Sequence, residues 1–328
     1  MMTAPHLPGV ALQIRQVYDR NPSVFQPVGP HSKAIATLGW TLIVAATVVF
    51  IVVMTLLLLP IWKRRHASVE DGPPAPVSET AWLLYAGTLA PAAILAGVFV
   101  LTLGAYHAAR PSGTGGLTIE VVGHQWWWEV RYPDEHILTA NEIHIPVGRE
   151  VRVVLTSADV IHSFWVPNLA GKTDLIPGTT NIAWIEADTS GTWRGTCAEY
   201  CGMQHAHMAL TVVAELPGDF NRWTEAQRGV SAAPTDSATL DGEAAFLSSQ
   251  CVYCHTVRGT QASGRIGPDL THIGSRLTIA SGMLANTRGN LGGWIENPDQ
   301  LKPGTKMPAV PLGAGQLEAI ITYLESLK

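Results

Sequence analysis

Two stretches of this chain carry no formal charge, and the rest of the fold must be arranged around them. Ile35 to Trp62 contains no Asp, Glu, Lys or Arg over 28 positions, and Ala81 to Tyr106 contains none over 26. A helix of about 20 apolar residues crosses a bilayer, so each run predicts a spanning helix and the two together a transmembrane hairpin over 35–110. A buried core helix is the alternative for either run, and their length argues against it. Pro91, inside the second run, predicts a kink that neighbouring helices tolerate. The composition agrees: 47% of the chain is hydrophobic and 14% charged, against about 25% charged in ordinary soluble domains. A formal charge of −5 disfavours a general nucleic-acid binder.

The loop 63–80 opens with Lys63-Arg64-Arg65, the basic cluster expected on the cytoplasmic side of a membrane. That places both termini, including an N-terminal segment 1–34, outside a bacterial cell membrane. Residues 1–34 contain no continuous apolar stretch like that of a secretory signal, so the first span is expected to direct insertion.

Beyond Arg110 the pattern changes. Residues 111–116 read as a flexible connection, and stretches 117–123, 126–132, 141–146, 150–156, 181–187 and 209–215 are rich in Val, Ile, Thr and Trp with turn residues between them. This predicts an all-β sandwich or barrel over 111–216. Residues 217–240 turn polar and rich in Ala, Ser and Thr, and read as a linker. The last segment, 241–328, predicts an all-α module with an opening helix around Ala244, Phe246 and Leu247 and a closing one through Leu317, Ile320, Ile321 and Leu324. Between these helices eleven glycines, Gly259 to Gly315, and five prolines leave little regular apolar sequence. A domain of that size is marginal alone, so something besides side-chain packing is expected to support it.

Two clusters carry the chemistry. Cys197-Ala-Glu-Tyr-Cys201-Gly-Met-Gln-His205-Ala-His207-Met208 gathers two thiols, two imidazoles and a thioether, and His162 precedes it by 35 residues. Thiolate, imidazole and thioether together favour copper, whereas structural zinc sites rarely include methionine. One Cys suits a mononuclear site; two suit a pair of copper ions, with His162 and His205 supplying a nitrogen each. A Cys197–Cys201 disulfide and a Cys-Cys-His-His zinc site remain alternatives, and His207 reads as a surface or supporting group. The second cluster, Cys251-Val-Tyr-Cys254-His255, is the C-x-x-C-H pattern of covalent c-type haem attachment, carried on a helix, with His255 able to fill one axial position.

The stretch Cys197 to Met208, with Val160-Ile-His162-Ser-Phe164, Gly123-His-Gln-Trp126-Trp-Trp128 and Lys172-Thr-Asp174-Leu-Ile-Pro-Gly178, resembles subunit II of haem-copper cytochrome c oxidases over about 35–216. The resemblance implies a cupredoxin-like fold and a binuclear copper A centre ligated by His162, Cys197, Cys201, His205 and Met208, with the backbone carbonyl of Glu199 as the remaining ligand. It implies further that the Glu199 side chain meets a magnesium ion at the boundary with subunit I, that Trp126 lies where an electron enters, and that Glu79 lies at the entrance of a proton pathway. Three consecutive indoles cannot share one strand face, and at least one of Trp126, Trp127 and Trp128 is expected to be a packing anchor near the membrane interface. For Glu79, a solvated carboxylate at a helix start is the plainer reading.

Residues 241–328 resemble a class I cytochrome c. The resemblance makes Met307, in Pro303-Gly-Thr-Lys-Met307-Pro308, the second axial ligand, and a Met/His pair raises a haem potential into the range of electron carriers. A buried macrocycle also supplies the core that the composition lacks. Together the two resemblances imply the electron-input subunit of a fused, caa-type cytochrome c oxidase. Electrons from an external donor, a cytochrome c or a quinol-oxidising complex, would pass by haem c and copper A to subunit I, where oxygen is reduced. The expected partners are subunit I, other membrane subunits and lipid. Residues 111–240 hold 7 basic and 15 acidic residues, so the copper module is expected to attract a basic carrier, whereas 241–328 holds 7 of each. The alternatives are the equivalent copper A subunit of a nitric oxide reductase, and a membrane-tethered zinc or copper docking protein without a redox role.

Overall fold

The computed structural model describes residues 22–66, 78–113, 116–231 and 233–328. They divide into two compact units, one of residues 31–110 and one of the residues on either side.

The first unit is the hairpin. Helix α1 spans Pro30–His66 and ends on Lys63, Arg64 and Arg65. The second span begins as α2, Glu79–Leu84, widens into a π-turn at Tyr85–Leu89, and continues as α3, Ala90–Ala108. The widening has a local cause. Pro91 cannot donate a backbone hydrogen bond and its ring crowds the carbonyl four residues back; in the turn before it the Ala90 N–H reaches five residues back, to the Tyr85 carbonyl. The irregularity expected at Pro91 therefore falls one turn earlier. Both helices pass the length and hydropathy test for a membrane span, and their apolar side chains face outward. Most of the connecting loop and residues 1–21 lie outside the described residues, as do 114, 115 and 232 in the expected flexible connection and linker.

The second unit holds the two soluble modules. Residues 117–215 form ten strands: β1 Leu117–His124, β2 Trp127–Tyr132, β3 Ile137–Ala140, β4 Glu142–Pro146, β5 Val151–Ser157, β6 His162–Trp165, β7 Thr173–Leu175, β8 Asn181–Ile185, β9 Gly191–Cys197 and β10 Ala209–Glu215. They build two five-stranded sheets, β3-β2-β1-β5-β8 and β4-β10-β9-β6-β7, in the manner of a cupredoxin-like sandwich. β1 runs parallel to β5, and β4 to β10. The strict alternation of β1, Leu117, Ile119 and Val121 inward, is the sequence pattern realised. Val130, Val153, Leu155, Phe164, Leu175 and Val212 join them in one apolar core. Residues 26–29 strap onto this sandwich: Val28 N donates to the Asn168 carbonyl (2.8 Å) and Asp188 N to the Val28 carbonyl (2.8 Å).

Residues 217–228 correct the linker expectation. Pro217–Arg228 is helix α4, and Phe220 and Trp223, one turn apart, pack on the sandwich against Tyr132 and His144. Proline at the first helical position and an apolar pair at i, i+3 suffice for a helix that a sheet can cover. The stretch between this helix and the next, which begins at Ser237, is correspondingly shorter than the expected linker.

The C-terminal module is all-helical but for one two-stranded ribbon, Thr278–Ile279 with Leu284–Ala285. Helix α5, Ser237–Leu247, crosses α8, Ala314–Ser326, closely enough that a β-carbon on Gly242 would lie 2.2 Å from the Ala319 carbonyl. Phe246, Val257, Ile295, Ile320, Ile321 and Leu324 form the core there, with α6, Arg288–Glu296, packed beside α8 and the short α7, Pro298–Leu301, following it. The C-x-x-C-H motif lies beyond the helix, starting on a 3₁₀ turn, Gln250–Tyr253, that Cys254 closes. Ser248 and Ser249 end α5: the Ser248 hydroxyl bonds back to the Ala244 carbonyl, and Ser249 Oγ accepts from Cys251 N.

Candidate functional site

Antiparallel pairing of β6 with β9 sets Phe164 opposite Cys197, which brings His162 at the head of β6 to the end of β9. The loop from Cys197 to Met208 is fixed at both ends: Cys197 N donates to the Met208 carbonyl (2.9 Å) and Ala198 N to the Ser163 carbonyl (2.9 Å). A rigid sandwich therefore presents a short loop dense in donor atoms.

Those atoms converge. The Cys197 and Cys201 sulfurs lie 3.7 Å apart, His162 Nδ1 is 3.9 Å from the Cys197 sulfur, and His205 Nδ1 is 3.7 Å from the Cys201 sulfur. Met208 Sδ is 3.8 Å from the Cys201 sulfur, and the Glu199 carbonyl 3.2 Å from the Cys197 sulfur. Both cysteines are free and buried, so the disulfide alternative is not formed. An ion with metal–sulfur bonds of about 2.3 Å and tetrahedral angles holds its two sulfurs about 3.8 Å apart, and these thiols already sit at that separation. Each imidazole addresses a different thiol, and a thioether and a carbonyl stand at opposite ends. This donor set fits two copper ions sharing two thiolates.

The surroundings tune the donors. His162 Nε2 lies 2.8 Å from Asp159 Oδ1, which fixes the tautomer and leaves Nδ1 for a metal. Burial would lower the His162 pKa, but its contacts with Cys197 and Asp159 raise it. Of the paired thiols Cys197 ionises first, held far below the usual thiol range by the hydrogen bond from Cys201; Cys201, as that donor, is pushed up. Gly123 makes room, since a β-carbon there would lie 2.7 Å from the His162 ring.

The three indoles separate by face. Trp128 is fully buried in the sandwich core, edge-on to Phe164 and His162, so it is a packing anchor. Trp127 stacks on His124 at 4.4 Å. Trp126 is half-buried and its indole N–H donates to the Cys201 carbonyl (3.0 Å), putting it against the thiol loop. His207 is exposed, with Nδ1 2.8 Å from Gln204 Oε1. Sequence reasoning missed Asp159 and the role of Gln125, whose side-chain amide donates to the Cys201 carbonyl (2.9 Å). Glu79 belongs to the hairpin unit, where it is the exposed first residue of α2 beneath the Ser78 cap.

In the C-terminal module His255 Nδ1 lies 2.7 Å from the Pro268 carbonyl, which assigns the proton to Nδ1 and frees Nε2. Burial lowers its pKa and keeps the ring neutral. A β-carbon on Gly267 would lie 2.7 Å from this ring, so only glycine leaves space beside it. Cys251 and Cys254 are free and half-buried, and Met307 is half-buried on the loop after α7. Two free thiols, an oriented neutral imidazole and a distant thioether fit a haem.

Comparison with known proteins agrees with this chemistry. The family "Cytochrome C oxidase subunit II, periplasmic domain" matches residues 136–215, and the family "Cytochrome c" matches residues 240–328. The cytochrome c oxidase subunit 2 of Alkalihalophilus pseudofirmus is 35% identical over 317 residues, covering 94% of this chain and 92% of its own. That of Bacillus sp. strain PS3 is 36% identical over 225 residues, covering 65% of this chain and 62% of its own. The solved periplasmic domain of subunit II of cytochrome oxidase from Bradyrhizobium japonicum is 33% identical, covering 36% of this chain and 97% of that one at a TM-score of 0.35.

Proposed function

The chain belongs to the cytochrome c oxidase subunit II family, and we propose that its two donor clusters work in series, the C-terminal module receiving electrons and the sandwich passing them on. It is the electron-input subunit of an oxidoreductase, anchored in the membrane with its metal-bearing modules on the periplasmic side, and it associates with subunit I. Copper at the thiol loop and haem in the C-terminal module supply one-electron storage, while oxygen is reduced in subunit I. The nitric oxide reductase and zinc-docking alternatives are not favoured.

The residues divide the work. Copper at the thiol loop would be held by Cys197 and Cys201 as thiolates, by His162 and His205 through Nδ1, and by Met208 and the Glu199 carbonyl. Asp159 holds the His162 ring in orientation. A haem in the C-terminal module would be held by Cys251 and Cys254 through thioethers, by His255 through Nε2 and by Met307. The Glu199 side chain, half-buried, helps hold magnesium at the boundary with subunit I. Trp126 is the point of electron entry to the copper loop, and Glu79 lies at a proton-pathway entrance in the assembled oxidase. Orientation follows the basic end of α1, with Lys63, Arg64 and Arg65 in the cytoplasm and both termini outside. The acidic sandwich steers a basic cytochrome c, or the basic docking face of a quinol-oxidising complex, toward the chain.

The observation that carries this reading is the 3.7 Å approach of two free thiols with an imidazole at each. Metal analysis with mass spectrometry of the purified chain tests it. Two coppers and one covalently held haem per chain are expected; zinc without haem, or thiols oxidised to cystine, would overturn it.

A further inference from the structure

The loop between α7 and Met307 touches the thiol loop of the other module at several points. Lys302, which opens it, is 2% exposed. Its ammonium donates to two backbone carbonyls, that of Trp126 in the sandwich (3.0 Å) and that of Ala280 in its own module (3.3 Å). Among the described residues no carboxylate pairs with it. Burial pushes its pKa down to about 7, with only the nearby Cys201 opposing that shift.

The neighbours of Lys302 repeat the pattern. The side-chain amide of Gln204, between Cys201 and His205, donates to the Pro303 carbonyl (2.5 Å). Gly304, at φ +80, lies so close that a β-carbon would meet Met203 Sδ at 2.6 Å. Lys306 stands 3.7 Å from Asp159, the carboxylate that orients His162. Four successive contacts thus join residues 302–306, immediately before Met307, to residues beside the sandwich ligands.

An ammonium buried against carbonyls alone is costly, because neutral dipoles replace its hydration poorly. A lysine on a surface loop would ordinarily reach solvent, and this one spans two modules instead. Packing of α7 alone does not require that reach, since Lys302 N already closes α7 on the Pro298 carbonyl (2.8 Å).

We propose that Lys302 is a positioning residue, the pin of a clasp formed by residues 302–306 that seats the Met307 loop on the Cys201–His205 loop and sets the haem-to-copper contact inside one chain. This rests on the electron-relay reading above. A short tether alone holds two modules at high effective concentration but in many orientations. The clasp selects one, and in it the Met307 loop lies over the Trp126 carbonyl. Transfer is then limited by electron tunnelling rather than by a search for the docked pose.

The test uses the purified full chain with both centres loaded, comparing the parent with Lys302→Met, which keeps length and apolar bulk but removes the donor. Metal content, the copper spin-resonance signal and the haem spectrum are recorded first; their absence in the parent would defeat the relay reading, not the clasp. After flash reduction of the haem, the haem-to-copper rate in Lys302→Met is expected to fall about tenfold and to become slower with added viscogen, while the parent rate ignores viscosity. An unchanged, viscosity-independent rate would overturn the clasp. So would loss of the copper or haem signature in a folded variant, because Lys302 would then be supporting a centre and not the contact. Should Lys302→Met fail to fold, Gln204→Leu breaks the same contact from the sandwich side and is read by the same rate and viscosity criteria.

Discussion

The sandwich and the C-terminal module each orient an imidazole with a hydrogen bond and leave room for its ring beside a glycine, Gly123 for His162 and Gly267 for His255, yet they are supported differently. In the sandwich, Cys197, Cys201, His162 and Met208 are buried under a continuous core that runs from Leu117 to Phe220. In the C-terminal module the described core is less than half as large, Cys251, Cys254, His255 and Met307 are only half-buried, and Tyr253 and Ile266 are 73% and 74% exposed. The contrast is between a site preformed by its fold and one that a bound group would help to complete. A sandwich complete in itself holds its donors in advance of metal; a small glycine-rich module would gain from the haem proposed for it, a large apolar group attached through its own thiols.

Cys197→Ser breaks the comparison most severely if it is wrong. The copper spin-resonance signal is expected to vanish, while the sandwich stays folded by circular dichroism and the haem spectrum is unchanged. Loss of both centres in a folded chain would mean that the two modules are not separately built.

Phe220→Ala tests the helix that joins them. Phe220 is 5% exposed and belongs to the sandwich core, and truncating a buried Phe costs about 3–5 kcal/mol. The urea midpoint of the sandwich should fall accordingly with the copper signal retained below the transition. A negligible change would return 217–228 to the status of a linker.

His144 gives the sandwich a pH dependence. It lies 3.0 Å from Glu142 and 3.1 Å from Glu215, with its ring stacked on Trp223 at 4.1 Å. Burial would lower its pKa, but the two carboxylates outweigh burial and raise it to about 9 from the ordinary 6.5. A raised folded value means that the proton favours the folded state. The contribution, about 3 kcal/mol, is complete below pH 6.5 and is lost as pH rises through 9. Denaturant midpoints measured between those limits should fall, and Glu215→Gln should flatten the fall.

Asp159→Asn makes the smallest change and sharpens the claim that the sandwich orients its own ligands. Weakening the partner of a ligating imidazole lowers metal affinity about 10- to 100-fold. Copper competition titration should show that loss with an unaltered haem spectrum.

Much of this was legible in the sequence for identifiable reasons. The hairpin was clear because charge is absent over two long runs, and the thiol loop because five of its side-chain donors fall within twelve residues. Strand β9 was not, because Gly191 and Gly195 interrupt its apolar pattern; Gly195 is needed there, since a β-carbon would lie 2.8 Å from Leu210. Strands β6 and β7, of four and three residues, are too short to show a period. Helix α4 was hidden by polar composition, with only Phe220 and Trp223 marking its covered face. Asp159, Gln125 and Lys302 are single polar residues remote in sequence from what they touch, and no local pattern marks them.

Hydrogen exchange on two forms of the full chain tests the central claim most directly, one form stripped of copper by chelation and one unable to attach haem through Cys251→Ala and Cys254→Ala. The strands of 117–215 should stay protected in the first form, and residues 237–328 should lose protection in the second. Melting of the sandwich on chelation, or full protection of 237–328 without haem, would contradict the account.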